Sequence, residues 1–187
     1  MQTVIRGASQ LKVTRSRMAP GSSAGTGGRW TSRLPAEAVQ PPYHLFRRGI
    51  EAGLLPYAAA HHIGVLPCGP LARRVLGGTI AEATTFGPGD WRSHSPAFTE
   101  PGFGRNLQVG AALSRFAADS GATIAQLAVA WVLAHPAVQV AIVGAHPTSS
   151  AGKRALDLAP SRDDLAEIDG TMAAAVPLGG PSPEGMT

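Results

Sequence analysis

An α/β fold built from parallel βαβ units is predicted by three observations. Helical and strand periodicities alternate from about residue 36 onward, Gly and Pro punctuate the boundaries, and one short β-branched run follows directly on a strongly periodic helix. That last pair lies in residues 121–144, GATIAQLAVAWVLAHPAVQVAIVG. Ile124, Leu127, Ala128, Trp131 and Val132 recur at i, i+3, i+4, i+7 and i+8, which makes one helical face. Thr123 stands where an N-cap belongs, and Pro136 stops the helix. The run Val138–Val143 then reads as a strand covered on both faces, as parallel strands are. Gly144-Ala145 opens a polar loop, His146 to Gly152. Ligands of parallel α/β folds bind at the carboxyl ends of strands, so that loop is an expected place of function.

The other elements follow in order. Thr3-Val4-Ile5 is a short strand candidate within a Gly/Ser-rich stretch, residues 1–35, that lacks periodicity and reads as mostly disordered. Ala38-Val39-Gln40 is a strand stopped by Pro41-Pro42. Ile50 to His61 reads as a helix with Leu54, Tyr57, Ala58 and His61 on one face. Gly64 turns the chain into Val65-Leu66-Pro67-Cys68, a strand ending at Gly69-Pro70. The excursion from Leu76 to Gly104 is too long for an ordinary connection, which marks it as functional or mobile. Asn106 to Asp119 is helical, with Val109, Leu113 and Phe116 on one side. Ser161-x-x-Asp164 resembles a capping box ahead of a last helix striped by Leu165, Ile168 and Met172. Three strands are too few to close a barrel, and as a doubly wound sheet they are thin.

Charge is unevenly placed. Residues 1–35 hold six basic residues and no acidic one, a charge of +6, whereas the remainder carries −2. A nucleic-acid-binding domain would carry its basic patch on the fold, so nucleic acid is not an expected partner. No apolar run reaches membrane-spanning length, so no membrane is expected either. Cys68 is the single cysteine, which excludes an internal disulfide and fits a reducing compartment. The start of the chain lacks the apolar core of a secretory signal, and a cytoplasmic location is expected. His61-His62 sits at a helix end without a third ligand at metal spacing, and reads as a cap favoured by the helix dipole; no metal site is expected.

Four blocks, VQPPYHLFRRGIE, IGVLPCGPLARRVLGG, GATIAQLAVAWVLAHPAVQVAIVGAH and LDLAPSRDDLAEID, resemble the aldo/keto reductases in content and order, over about residues 38–176. The resemblance implies a partial (β/α)8 TIM barrel, about strands six to eight with their helices, over residues 36–187, preceded by the basic Gly/Ser-rich segment 1–35. It implies an NADP(H)-dependent oxidoreductase of aldehydes and ketones, present as a C-terminal half without activity of its own. A non-catalytic module that binds NADP(H) or a partner is the alternative. The family's catalytic Asp, Tyr, Lys and His lie in the half without a counterpart here, so no catalytic residue is assigned. Tyr43 and Tyr57 are the only tyrosines and Lys153 the only lysine beyond residue 35; neither pairing resembles a proton relay.

The resemblance also names candidates for holding the cofactor. Gln40 matches the Gln that hydrogen-bonds the nicotinamide carboxamide; the plainer reading is a strand-end Gln facing water. Cys68 stands where the family has the Tyr that stacks on the nicotinamide ring; the plainer reading is an inert buried thiol. Gly69 and Leu71 match positions whose backbone approaches the pyrophosphate. Gly144, Ala145 and His146 match the Gly-Ala-Arg opening of the 2′-phosphate loop, with His146 a weaker, pH-dependent partner in place of Arg; the alternative is a solvated loop. Lys153 and Arg154 add charge further along. Trp91, Arg92, Pro96 and Phe98 resemble a substrate-side loop, and Phe98 lines a pocket or simply packs down. A half barrel leaves two open sheet edges, from which self-association is expected.

Overall fold

In a computed structural model, residues 2–6, 37–95, 98–99, 101–144 and 155–178 are described. Their elements are β1 (Gln2–Arg6), β2 (Ala38–Val39), α1 (Leu54–Ala60), β3 (Gly64–Val65), α2 (Gly102–Asp119), α3 (Ile124–Ala134), β4 (Val140–Gly144) and α4 (Arg162–Met172). Short 3-10 turns occupy Gly49–Ala52, Ala72–Gly77 and Trp91–His94. Among the described residues no single helix is long and apolar enough to cross a membrane.

The strands form two ladders that meet side by side. β2 and β3 are parallel, with Ala38 opposite Gly64 and Val39 opposite Val65. Beyond them a parallel bridge joins Pro42 to Cys68, and another joins Cys68 to Ile142 of β4. Gln139 N–H donates to Val65 O at 3.2 Å and Ile142 N–H to Pro67 O at 2.8 Å, which seats β4 along the far side of β3. The Gln139 side-chain oxygen accepts from Val65 N–H at 2.7 Å, so one residue clamps both backbone groups of Val65. The three expected parallel strands are therefore present, but shortened to ladders and bridges. Pro41, Pro42 and Pro67 lack the N–H a continuous ladder needs. The Thr3–Ile5 strand is also present, as β1, running antiparallel to β4 with Val4 opposite Ile142. It covers one of the two sheet edges expected to be open. Residues 7–35 lie outside the described residues.

α3 packs on α2, on β4 and on the 72–77 turn. The expected stripe is buried, but so are Gln126, Val129 and Ala130. A helix apolar on nearly every side lies inside the protein rather than on its surface. Its capping box is reciprocal: Gln126 N–H donates to Thr123 Oγ1 and Thr123 N–H to Gln126 Oε1. α4 repeats the device with Ser161 and Asp164, as expected, and buries Ile168.

Two sequence expectations are corrected. The apolar face of α1 is Leu55 and Ala58, while Tyr57 is 56% exposed. Gly53, at φ −137° and ψ −64°, separates the 3-10 turn from the helix, so the helical phase restarts at Leu54 and the predicted face is rotated. α2 starts at Gly102, four residues ahead of the expected Asn106, which lies buried inside the helix. The buried Asn106 amide instead donates to Val176 O at 3.0 Å and accepts from Val176 N–H at 2.8 Å, tying down the segment after α4.

Candidate functional site

The register of the three parallel strands fixes where the candidate residues stand. Pro42, Cys68 and Ile142 lie abreast. Gln40 is then level with Leu66, two residues short of that row, and Gly144 is level with Pro70, two residues beyond it. Gln40, Cys68, Gly69 and Gly144 thus climb diagonally across the carboxyl ends of β2, β3 and β4. With about 3.3 Å per residue and about 4.8 Å between strands, the diagonal spans about 16 Å. It suits a long, extended ligand better than a compact one.

The residues along it differ in exposure. Gln40, Gly69 and Gly144 are exposed, and Cys68 and Leu71 are half-buried. Gly69 has φ +70°, and no heavy atom lies within 4 Å of the place a Cβ would take. Gly144 is open in the same sense. Both positions leave room for a ligand to approach the backbone, which is what a dinucleotide phosphate requires. Cys68 is held by its backbone, with its N–H donating to Pro41 O at 3.0 Å and its carbonyl accepting from Tyr43 N–H at 3.3 Å. Ala145, His146, Lys153 and Arg154 lie outside the described residues, as does Pro96.

Immediately past β2 the chain makes a tight turn, closed by Arg47 N–H donating to His44 O at 2.7 Å. His44 is 5% exposed, and its Nδ1 has no hydrogen-bond partner. Burial, then the positive charges of Arg47 and Arg73, push its pKa down from 6.5 to about 4. The imidazole is neutral at neutral pH. Arg73 is thus within electrostatic reach of His44, and also of Cys68.

Neither tyrosine resembles a catalytic acid. Tyr43 is 1% exposed, and its hydroxyl donates to Glu51 Oε1 at 2.8 Å. Burial first, then that carboxylate, drive its pKa far above the ordinary phenol value. Tyr57 lies on the outer side of α1 with its ring 4.2 Å from that of His61. Tyr43 belongs to a structural knot that sequence reading missed. Arg48 Nε donates to Glu51 at 2.8 Å, another of its nitrogens reaches Asp169 of α4, and its guanidinium lies 5.1 Å over the Trp131 ring. The Arg48-x-x-Glu51 spacing was a readable signal for half of it.

The long excursion packs down. Phe98 is 6% exposed, edge-on to Phe86 with centroids 5.5 Å apart and 5.8 Å from Phe103. Arg92 lies 4.3 Å over Phe86 and grips Asp90 through Nε at 2.9 and 3.1 Å. Phe98 is therefore a core residue here. Across from this loop, Ala72, Arg73 and Arg74 take φ of 47°, 56° and 79°, three successive non-glycine residues in the left-handed region. Among the described residues no three His, Cys, Asp or Glu side chains stand together as metal ligands.

Residues 22–170 match the model of the aldo/keto reductase family. The aldo-keto reductase YhdN of Bacillus subtilis is 38% identical over 112 residues, which are 59% of this chain and 34% of that protein. The aldo-keto reductase yakc [NADP(+)] of Schizosaccharomyces pombe is 30% identical over 115 residues, 60% of this chain and 34% of that one. Among solved structures, a glycerol dehydrogenase of Gluconobacter oxydans superposes with a TM-score of 0.70 at 33% identity, over 80% of this chain and 46% of its own. The chain spans about a third of the length of the two curated relatives.

Proposed function

The chain belongs to the aldo/keto reductase family, and we propose that it supplies the dinucleotide side of an NADP(H)-dependent oxidoreductase of aldehydes and ketones. The observation that carries the proposal is the diagonal of Gln40, Cys68, Gly69 and Gly144 across three parallel strand ends, with two open glycines on it. β2, β3 and β4 are, in this reading, strands six, seven and eight of the family barrel. The yakc relative, whose name carries NADP(+), supports the choice of cofactor. Bound NADPH supplies the hydride. Gln40 would orient the carboxamide, and the Gly69–Leu71 backbone and the Gly144–His146 loop would hold the phosphates. Cys68 replaces an aromatic face with a thiol, which weakens ring positioning.

This segment alone is proposed to be inactive. The Tyr43 hydroxyl is committed to Glu51 and Tyr57 lies on the outside of α1, so neither offers a proton at the strand ends. General acid catalysis contributes about 10²–10⁴-fold, a factor that in this reading neither tyrosine supplies. The same observation favours the second reading, a module that binds NADP(H) or a partner without chemistry. A fluorescence titration with NADPH and a turnover assay on a panel of aldehydes decide between them. Weak binding without turnover is expected. Tight binding without turnover selects the binding module, and robust turnover by pure protein overturns both readings.

A further inference from the structure

β1 meets the rest of the protein along a single ladder. It runs antiparallel to β4 from Gln2 opposite Gly144 to Arg6 opposite Val140, and it packs on no other described element to a comparable extent. No hairpin joins the two strands, which lie at opposite ends of the sequence. The pairing is therefore what holds β1 in place. A strand held by one ladder opens locally at less cost than strands bonded on both sides.

What β1 grips is the far end of β4. Ile142 N–H donates to Pro67 O at 2.8 Å, and among the described residues β4 donates no backbone N–H to the β3 side beyond it. Successive residues of a strand turn their backbone N–H and C=O to opposite edges. Ile142 faces β3, so Ala141 and Val143 face β1, where Ile5 and Thr3 stand opposite them. Beyond Ile142, β1 is thus the strand that holds the β4 backbone from the side. By the same alternation Gly144 turns its N–H away from β1, toward the end of β3, where no described backbone group accepts it. Gly144 is exposed, with open space where a Cβ would stand. We propose that β1 is a positioning strap: Gln2 and Thr3 set the carboxyl end of β4, and with it the Gly144 N–H, for an anionic ligand of the dinucleotide class. The strap stands on the ladder alone; its service to the dinucleotide rests on the reductase reading.

Thr3→Pro tests the strap, because proline withholds the N–H that Thr3 turns toward β4. Residue-resolved hydrogen exchange is read first, on the full chain without cofactor. Exchange should quicken at Ala141 and Val143, which face β1, and stay slow at Ile142, which bonds to β3. A general loss of stability would move all three alike. Thr3→Val keeps the backbone donor and the branch at Cβ, and should exchange as the parent does. NADPH affinity, read by fluorescence titration, should fall about fivefold or more in Thr3→Pro and be kept in Thr3→Val. Thr3→Cys/Val143→Cys is the second variant. Its two positions stand directly opposite, at a Cα separation of about 5.5 Å that a disulfide can bridge. Oxidation should fix the strap, slow exchange at Ala141 and leave NADPH affinity no lower than in the reduced form. Failure of that disulfide to form overturns the strap, as does equal exchange at Ala141 and Val143 in Thr3→Pro and the parent. Quickened exchange with unchanged NADPH affinity overturns its positioning role. A parent chain that binds no NADPH would indict the reductase reading, while the exchange measurements still decide the strap.

Discussion

Acidification from pH 7.5 to 4.5 should remove about 2.5 kcal/mol of folding stability through His44. The ring is 5% exposed and its Nδ1 is unpartnered, and Arg47 and Arg73 oppose its protonation. Its pKa is about 4 in the folded chain against an ordinary 6.5. Below pH 6.5 the unfolded chain takes up a proton that the native chain refuses, so stability is whole above that value and is lost as pH falls toward 4. His135, also pushed down by burial, adds to the loss in the same direction. Asp90 is pushed down to about 2 by the hydrogen bonds from Arg92, and its pairing is lost only in more acidic solution. Urea denaturation at the two pH values measures the effect, and the midpoint should fall by about 1 M. His44→Leu removes the ionisable ring and the unpaired nitrogen together. It should be near neutral at pH 7.5 and lose most of the acid sensitivity, His135 leaving a residue of it. An equal drop in parent and variant would refute the reasoning.

Three further outcomes follow from the same contacts. Glu51→Ala leaves the buried Tyr43 hydroxyl without its acceptor and should cost about 2 kcal/mol, the half-exposed Arg48 pair adding little. The double variant with Tyr43→Phe should be no less stable than Glu51→Ala, a coupling of about 1 kcal/mol that additive denaturation midpoints would contradict. Arg74→Gly, at φ 79°, should stabilise by about 1 kcal/mol by relieving the left-handed backbone; a lower melting temperature would argue against that strain. Asn106→Leu strands the Val176 N–H and carbonyl and should cost about 2–4 kcal/mol. Hydrogen exchange should quicken at residues 175–178, and unchanged protection there would show that the tie is not Asn106.

How far the fold was legible depended on whether local pattern and tertiary environment agreed. α3 and β4 were readable because helical periodicity, a cap and a proline stop all fell within one stretch, 121–144. The α1 face was not, because one glycine reset the helical phase and period counting cannot see a dihedral angle. The strands were read in the right places and too long, since three prolines among them withhold ladder donors. Asn106 read as an ordinary helix residue; its partner, Val176, is 70 positions away, and nothing near Asn106 announces it.

The candidate site divides along the same line. Gln40, Cys68, Gly69 and Gly144 were named one by one through resemblance, and the register then sets them on one diagonal, an ordering no local pattern contains. The left-handed turn after β3 was illegible for a different reason. A left-handed turn is normally announced by glycine, and here the chain places Ala72, Arg73 and Arg74 in it. A positive φ at such residues has to be imposed by what surrounds them. The turn is held at its start by Ala72 N–H donating to Gly69 O at 2.9 Å and closed by Leu76 N–H donating to Leu71 O at 3.1 Å. Gly69 and Leu71 are themselves cofactor candidates. The backbone that would cradle a dinucleotide phosphate is thereby the same backbone that holds Arg73 and Arg74 in the left-handed region.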